Sequence, residues 1–398
     1  MRQGTRLPCH ILPVSRNKGF FGRADVLREI SLNFLPSKQA ANDPPEQEPN
    51  EVKTFAICGP GGMGKTQTAI EFVFTHKHRY DAVFWIFADA AAKIAESFSR
   101  IALELGLVTA DSVDAHDHVV TRDLVKGWLA NPLKTADPKD DRATDHASWL
   151  LVFDNADFPE ELEEYWPLDG PGCVLFTSRD PLAKHSNYLA MNGIDLKPFE
   201  IEEGKKFLAE LTMKEEDGGS VVKALGGFPL ALTQMAGVII RGDLTFAEFT
   251  RTYNEEESRA ELLQLQLSQS KRRYGYEYTV ASVWALESLK HGRSLLEVLS
   301  FLDPDGIQES ILTTLPDSVS LQNFPKTSLS YQKARTELLQ SSLISRNAER
   351  IHVHRLIQDA ARAKTGQFNM KRTFSATVAL LCSIWPFEAF DWRHDVAR

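Results

Sequence analysis

A glycine-rich segment, Gly59-Pro-Gly-Gly-Met-Gly-Lys-Thr66, has residue types and a spacing that could hold phosphate groups. It fits G-x-x-x-x-G-K-[ST], with an apolar strand pattern before it and a helical pattern after it. Glycines let the backbone wrap around phosphates with its amides pointing inward, and the start of the following helix adds positive potential. The spacing places Lys65 to bridge the β- and γ-phosphates and the Thr66 hydroxyl to bind Mg²⁺. The segment therefore predicts a nucleoside triphosphate site.

An acidic residue at the end of another buried strand would complete such a site. The apolar run Trp149-Leu-Leu-Val-Phe is followed by Asp154. Ligands bind at the carboxyl ends of strands in open parallel sheets. We therefore expect Asp154 to hold Mg²⁺ through water, because this ion keeps much of its hydration. A strand that ends in a solvated Asp is common, so the prediction depends on the glycine-rich segment.

The residues after Asp154 bear on whether a bound triphosphate is hydrolysed. Asn155 stands where many fast ATPases carry an acidic residue that orients the attacking water. An amide cannot take a proton, and Asp157 could replace it only if the loop folds back. The sequence thus predicts slow hydrolysis at most and does not establish turnover.

A further strand pattern ends at Phe176-Thr-Ser-Arg179. Arg179 either reaches a γ-phosphate or forms a surface salt bridge with Asp180, and the spacing does not decide between the two. Guanine recognition usually needs an Asn-Lys-x-Asp element after the phosphate loop. That element is missing from the sequence, so the predicted base is adenine.

The elements that must position these residues follow from the apolar patterns. Helical patterns cover 24–34, 65–76, 90–105 and 124–129, and strand patterns cover 54–58, 82–88, 149–153, 172–177 and part of 188–196. Residues 1–19 are expected to be irregular, and 37–51 and 131–148 to be loops. Continuous apolar strands that alternate with helices predict an α/β core, a parallel sheet with helices on both faces.

After residue 199 the pattern becomes helical. Helices are expected at 200–211, 220–225, 230–240, 246–253, 279–289, 294–302, 333–341 and 354–363, with short apolar runs at 343–345 and 350–353. Helices that flank a hairpin suggest a winged-helix domain. The predicted domains are an N-terminal segment (1–19), a P-loop nucleotide-binding domain (20–199), a helical domain (200–270), a winged-helix domain (271–364) and a linker towards possible tetratricopeptide repeats (365–398).

Composition excludes several classes of protein. A chain of 398 residues is too long for one core and predicts two or three domains. Its net charge of −9 argues against a nucleic-acid partner, and its densest basic run, Lys271-Arg-Arg273, is interpreted as a solvated stretch. The four cysteines have no metal-site or redox spacing, which is typical of a reducing compartment. Because no segment is long and apolar enough to span a bilayer and no signal core is present, a cytoplasmic protein is expected.

In this order, the motifs resemble the NB-ARC group of the signal-transduction ATPases with numerous domains (STAND), which includes plant disease-resistance receptors and the apoptotic protease-activating factor. The resemblance covers about 20–363. It implies that Phe20-Phe-Gly-Arg23 lies at the adenine, with Arg23 and the backbone near Phe21 contacting the base. Thr177-Ser-Arg179 matches the family's first sensor. The implied phosphate contacts come from Gly59, Gly61, Gly62, Met63, Gly64, Lys65, Thr66 and Gln67.

Two later motifs extend the resemblance. Gly226-Gly-Phe-Pro-Leu-Ala231 is similar to the family's G-x-P-L-A motif, which implies that Pro229 packs on the nucleotide; a proline also suits the start of a helix. Ile351-His-Val-His354-Arg-Leu356 is similar to the Met-His-Asp motif, and His354 matches the His that touches the β-phosphate of ADP. Val353 replaces Met, and Arg355 replaces Asp with the opposite charge. By spacing alone, His354 is a surface residue at a helix start.

The segment Leu338-Leu-Gln-Ser-Ser-Leu-Ile344 resembles the sequences of fungal members of the group, which often continue into tetratricopeptide repeats. The stretch 384–394 looks like the approach to such repeats, so the chain is expected to be a fragment of a longer protein or a short gene model.

The resemblance implies a switch that binds ATP or ADP with Mg²⁺. ADP would hold a closed state through His354, and ATP would engage Arg179 and allow homo-oligomerisation in signalling of the innate-immunity or cell-death kind. The implied catalytic residues are Lys65, Asp154 and Arg179. The alternatives are an ATPase with steady turnover, a STAND transcription regulator and a repeat scaffold with a degenerate site. No effector is predicted.

Overall fold

A computed structural model of the chain describes residues 6–35, 51–134, 145–185, 190, 192–264, 284, 286–304, 306–313, 321 and 323–384. Some predicted segments lie wholly or largely outside these residues: the loops at 37–51 and 131–148, the basic run 271–273, most of the helix 279–289 and the stretch 384–394. The chain divides into two compact units. The first comprises Met1–Gly59 with Gly64–Leu196, and the second Pro60–Met63 with Lys197–Arg398.

The first unit contains a sheet of six strands among its described residues, and every pairing in it is parallel. The strands are β1 (Cys9–Ile11), β2 (Lys53–Cys58), β3 (Ala82–Phe87), β4 (Trp149–Asp154), β5 (Cys173–Ser178) and β6 (Asn192–Asp195). Their order is β1-β3-β4-β5-β2-β6, which confirms the predicted parallel sheet. Because β5 lies between β2 and β4, the three strand ends that carry the candidate site are neighbours.

Helices cover both faces of this sheet. They are α1 (Ala24–Phe34), α2 (Lys65–His76), α3 (Ala91–Glu104), α4 (His118–Ala130) and the single turn α5 (Pro159–Leu162). On one face Phe34 packs against Phe55, with ring centroids 6.4 Å apart. On the other face Phe84 packs against Trp128, with centroids 6.1 Å apart. Burial from both sides explains why the central strands are apolar along their whole length.

Two predictions for the first unit need correction. Residues 1–19 are not irregular throughout, since Cys9–Ile11 pairs with β3 at the edge of the sheet. Three residues are too few for periodicity to reveal a strand, and the pairing is a tertiary effect. The helix predicted at 124–129 begins at His118 instead. Asp117 accounts for the earlier start, because its carboxylate accepts hydrogen bonds from the N–H groups of Val119 and Val120.

The second unit begins with a helical layer. Its helices are α6 (Ile201–Thr212), α7 (Gly219–Ala224), α8 (Pro229–Arg241), α9 (Phe246–Asn254) and α10 (Glu256–Gln264). The first four match predicted helices, and α10 is an addition. Pro229 stands in the first turn of α8, where a missing N–H costs nothing. Thr245 and Glu248 form a capping box that starts α9.

The rest of the second unit mixes helices with an antiparallel sheet of order β7-β9-β8. Its elements are α11 (Arg293–Leu299), β7 (Ile307–Gln308), α12 (Glu309–Thr313), α13 (Ser328–Gln340), β8 (Ser345–Asn347), β9 (Arg350–His352), α14 (Arg355–Lys364) and α15 (Gln367–Ile384). Leu286–Ser288 is a 3-10 turn, so an α-helix over 279–289 is wrong there. Trp284 and Leu286 are both buried, and an α-helix would place residues two apart on different faces.

Helix α15 occupies much of the stretch predicted as a linker. Its buried residues Thr373, Ala376, Thr377 and Leu380 follow helical spacing. Because three of the four are small or polar, the apolar signal in the sequence is weak. Among the described helices, none has both the length and the apolar character needed to cross a membrane.

Candidate functional site

Lys65 is the first residue of α2 and follows Gly64, whose φ of 89° is a conformation that only glycine adopts without strain. Its side chain is buried, and its Nζ donates to the carbonyl oxygen of Gly59 at 2.7 Å. Burial lowers the pKa of Lys65 to about 8, against the opposing effect of the Asp157 carboxylate. A buried ammonium group is stabilised by an anionic ligand, so this loop fits a bound phosphate chain.

Asp154 ends β4 and is 2% exposed. Its Oδ1 accepts two hydroxyl hydrogen bonds, from Thr66 at 2.7 Å and from Thr177 at 2.7 Å. Burial raises the pKa of Asp154, and these two hydrogen bonds act in the opposite direction. The structure thus brings together Thr66 and Asp154, the two predicted Mg²⁺ ligands. One hydroxyl and one carboxylate fit Mg²⁺, which completes its shell with water and phosphate oxygens.

The loop after β4 folds back against the end of β5. Asn155 has a φ of 63°, its N–H donates to Thr177 Oγ1 at 2.9 Å, and Ala156 N–H donates to the Thr177 carbonyl at 2.8 Å. Asp157 therefore reaches Arg179. Its Oδ1 accepts the Arg179 backbone N–H at 2.7 Å, and its Oδ2 lies 3.3 Å from Arg179 Nε. The sequence did not suggest this ion pair, because the acidic residue next to Arg179 in the chain is Asp180.

The motif Phe20-Phe-Gly-Arg23 lies directly before α1. Arg23 has a φ of 62°, a left-handed conformation that strains a residue with a side chain. The predicted contacts of Phe21 and Arg23 with the base stay a prediction. Gln67 lies in the first turn of α2, and its buried Oε1 meets no hydrogen-bond donor within the described part of the chain.

In the second unit, His354 caps α14, because its Nδ1 accepts the Leu356 N–H at 3.1 Å. An accepting Nδ1 leaves Nε2 to carry the hydrogen of the neutral ring. The ring packs edge-on against Phe228, with centroids 4.5 Å apart. It also covers Gly226, where φ is 59° and a Cβ would lie 2.0 Å from His354 Cε1. The motif that contains Pro229 and the motif that contains His354 therefore pack on each other.

Loop residues Pro60–Met63 belong to this second unit, and two hydrogen bonds are among the contacts that hold them. Leu230 N–H donates to the Gly62 carbonyl at 3.2 Å. Trp284 Nε1 donates to the Gly61 carbonyl at 3.2 Å and is 2% exposed. No role for Trp284 is predicted from the sequence. A buried tryptophan needs an acceptor for its N–H, but nothing in the sequence identifies a carbonyl 223 positions away.

Two family models match the chain. Residues 45–135 match the NB-ARC domain, which covers the phosphate loop. Residues 284–369 match a domain of unknown function, DUF7779, which takes in both Trp284 and His354.

A nucleotide-binding leucine-rich repeat (NLR)-like protein of Hyaloscypha variabilis is 25% identical over 394 residues, covering 88% of this chain and 35% of the relative. The chain thus spans about a third of that relative's length. Among solved structures, a STAND protein with a tetratricopeptide repeat sensor from Pyrococcus horikoshii has 16% identity and a TM-score of 0.35, covering 94% of this chain and 48% of its own. A Walker-type ATPase of Pyrococcus abyssi has 11% identity and a TM-score of 0.49, covering 88% and 99%.

The phosphate loop stands at the end of a central strand of a parallel sheet, with a buried Lys65 and with Thr66 bonded to Asp154. Taken with the NB-ARC match at residues 45–135 and the NLR-like relative, these features identify an NB-ARC nucleotide-binding domain in this chain.

Proposed function

We propose that this chain is an adenine-nucleotide switch, in which ADP holds a closed state and ATP a state competent to form homo-oligomers. The observation that carries the proposal is the ion pair between Arg179 and Asp157 at the end of β5. Arg179 is held by a carboxylate that a γ-phosphate could replace. A group with two alternative anionic partners is the kind of element through which a ligand biases two conformations.

The phosphates and Mg²⁺ would be held by the residues at the ends of β2 and β4. The Lys65 ammonium and the amides of the glycine loop would bind the phosphate oxygens. The Thr66 hydroxyl and the Asp154 carboxylate would hold Mg²⁺, which supplies positive charge beside the phosphates. The buried ammonium of Lys65 and the shared hydrogen bond of Thr66 and Asp154 support these roles.

The closed state would depend on Pro229 and His354. Support comes from the second unit alone, where Phe228 stands next to Pro229 and packs on His354. The Nε2–H of His354 is a donor that suits a phosphate oxygen. Arg355 stands where the family has Asp, so the clamp in this chain would rest on His354 without that acidic neighbour.

The segment that follows the helical layer would be a winged-helix domain. The antiparallel sheet β7-β9-β8, with α13 before the hairpin and α14 after it, supports this proposal. We propose signalling of the innate-immunity or cell-death kind in the cytoplasm, with an effector that the chain does not identify. Steady turnover is the weaker alternative, because Asn155 cannot act as a base and Asp157 is bonded to Arg179.

The test has three measurements. The nucleotide that copurifies with the chain is identified, the mass of the protein is measured by light scattering with ADP and with ATP, and the rate of phosphate release from ATP is measured. We expect copurified ADP, a monomeric mass with ADP, a multiple of that mass with ATP, and slow phosphate release. The same mass with both nucleotides, or rapid steady phosphate release, would reject the switch.

A further inference from the structure

We infer that Trp284 is a positioning residue for the phosphate loop, whose indole N–H fixes the peptide between Gly61 and Gly62 so that the Gly62 amide is presented to phosphate. The inference rests on the proposed nucleotide site and extends it to a residue outside the phosphate-loop motif. It concerns contacts within the second unit, to which Pro60–Met63 belong.

The hydrogen bond from Trp284 to Gly61 is buried, and its geometry is restrained by a neighbouring ring. Trp284 is 2% exposed, and its Nε1 lies 3.2 Å from the Gly61 carbonyl oxygen. Water cannot substitute easily for a partner of a buried indole N–H, so the bond is costly to leave unmade. The Trp284 ring is also held in orientation by Phe228, which meets it at 90° with centroids 5.7 Å apart.

The direction of the Gly62 amide follows from the planarity of the peptide group. In a trans peptide the C=O of one residue and the N–H of the next point in opposite directions. Since the Gly61 carbonyl points to Trp284, the Gly62 N–H points away from it. Leu230 holds the Gly62 carbonyl in the same way, so the Met63 N–H points away from Leu230. Consecutive amide groups can form a concavity that binds anions, and fixing these two peptides would keep both N–H groups available for it.

A restraint is needed here because the loop is made of glycines. Gly62 has a φ of 81°, and a glycine pair allows the intervening peptide to rotate through either orientation. Rotation would turn a carbonyl oxygen, rather than an amide, towards the phosphates. Trp284 thus removes freedom that would otherwise have to be lost on binding.

The same contacts connect the loop to His354. Phe228 contacts both the Trp284 ring and the His354 ring, whose centroids lie 5.7 Å and 4.5 Å from its own. A displacement of His354 therefore reaches the Gly61 carbonyl through two ring contacts and one hydrogen bond.

The test compares Trp284→Phe with Trp85→Phe. Phenylalanine keeps a ring against Phe228 but lacks the N–H. Trp85 is also 2% exposed, and its Nε1 is buried with no acceptor in the described part of the chain, so its replacement removes no hydrogen bond. The ligands are pyrophosphate, which probes the loop alone, and ADP, both measured by calorimetry on the full chain. Urea unfolding of each variant reports any general loss of stability.

We expect Trp284→Phe to weaken pyrophosphate and ADP binding by about 3- to 10-fold, the range of one neutral hydrogen bond. Trp85→Phe should bind both ligands like the parent chain. In the parent chain, the indole N–H resonance that disappears in Trp284→Phe should shift when pyrophosphate binds. Should Trp284→Phe not fold, Trp284→Tyr is the second variant, because it fills more of the volume of the indole. Its hydroxyl lies at the ring tip, so it does not replace the indole N–H that bonds to Gly61.

Equal pyrophosphate affinities in Trp284→Phe and Trp85→Phe would overturn the positioning role while leaving the nucleotide site intact. Failure of the parent chain itself to bind pyrophosphate, ADP or ATP would instead reject the proposed function, and the inference with it.

Discussion

The ring of His354 lies edge-on against the ring of Phe228, with centroids 4.5 Å apart and planes inclined at 73°. Its Nδ1 accepts the N–H of Leu356 in the first turn of α14. His354 is therefore a helix cap through Nδ1 and also a candidate ligand, since the Nε2–H of the neutral ring is a donor that a phosphate oxygen could accept. The two interpretations that the sequence leaves open are compatible.

His354→Ala should weaken the retention of ADP more than the binding of ATP, because only the ADP state is proposed to use the Nε2–H. Loss of the cap should cost about 1 kcal/mol of folding free energy in addition. Dissociation rates of fluorescent ADP and ATP analogues measure the difference. His352→Ala, on the neighbouring strand β9, is the matched control. Equal losses for both nucleotides would reject the clamp.

Gly226→Ala should have the same functional effect through sterics. The new Cβ would lie 2.0 Å from His354 Cε1, so the ring has to move. The φ of 59° adds strain of about 1–2 kcal/mol. We expect faster ADP release and a lower urea midpoint. Gly127→Ala is the control, because its Cβ would meet no atom within 4 Å. An ADP release rate unchanged in Gly226→Ala would show that the position of His354 does not matter.

Asp157→Asn should shift the preference of the chain towards ATP. The asparagine keeps the shape of the side chain but loses the charge that holds Arg179. The pair is partly exposed, so its loss is worth up to about 1 kcal/mol, or roughly fivefold in relative affinity for ATP over ADP. Competition binding gives this ratio directly. Arg179→Ala should lower the same ratio, and a ratio that moves in neither variant would remove the sensor role from Arg179.

Thr66→Ala and Thr177→Ala separate the metal site from the support of Asp154. Both hydroxyls donate to Asp154 Oδ1 at 2.7 Å, but only Thr66 is a proposed Mg²⁺ ligand. We expect the increase in ATP affinity caused by Mg²⁺ to fall at least about tenfold in Thr66→Ala and to persist in Thr177→Ala. Titration of ATP with and without Mg²⁺ measures it. The opposite pattern would place the metal elsewhere.

Much of the first unit could be predicted because its strands are apolar throughout and its helices are periodic. The neighbouring positions of Asp154 and Arg179 follow from parallel strands ending at one edge. The preference of proline for the first turn of a helix indicated the start of α8 at Pro229. Strand β1 has only three residues, which is too short for its sequence pattern to predict a strand. The bond from Trp284 to Gly61 and the pair of Asp157 with Arg179 depend on which chain segments meet. Spacing within one sequence does not contain that information.

Nucleotide binding is tested most directly by a calorimetric titration of the chain with ADP and with ATP in the presence of Mg²⁺, repeated on Lys65→Ala. Lys93→Ala removes an exposed lysine and serves as the control. We expect saturable binding of both nucleotides to the parent chain and to Lys93→Ala, and loss of measurable binding in Lys65→Ala, because the buried ammonium would be the main positive charge facing the phosphates. Undiminished ADP or ATP affinity in Lys65→Ala would contradict it.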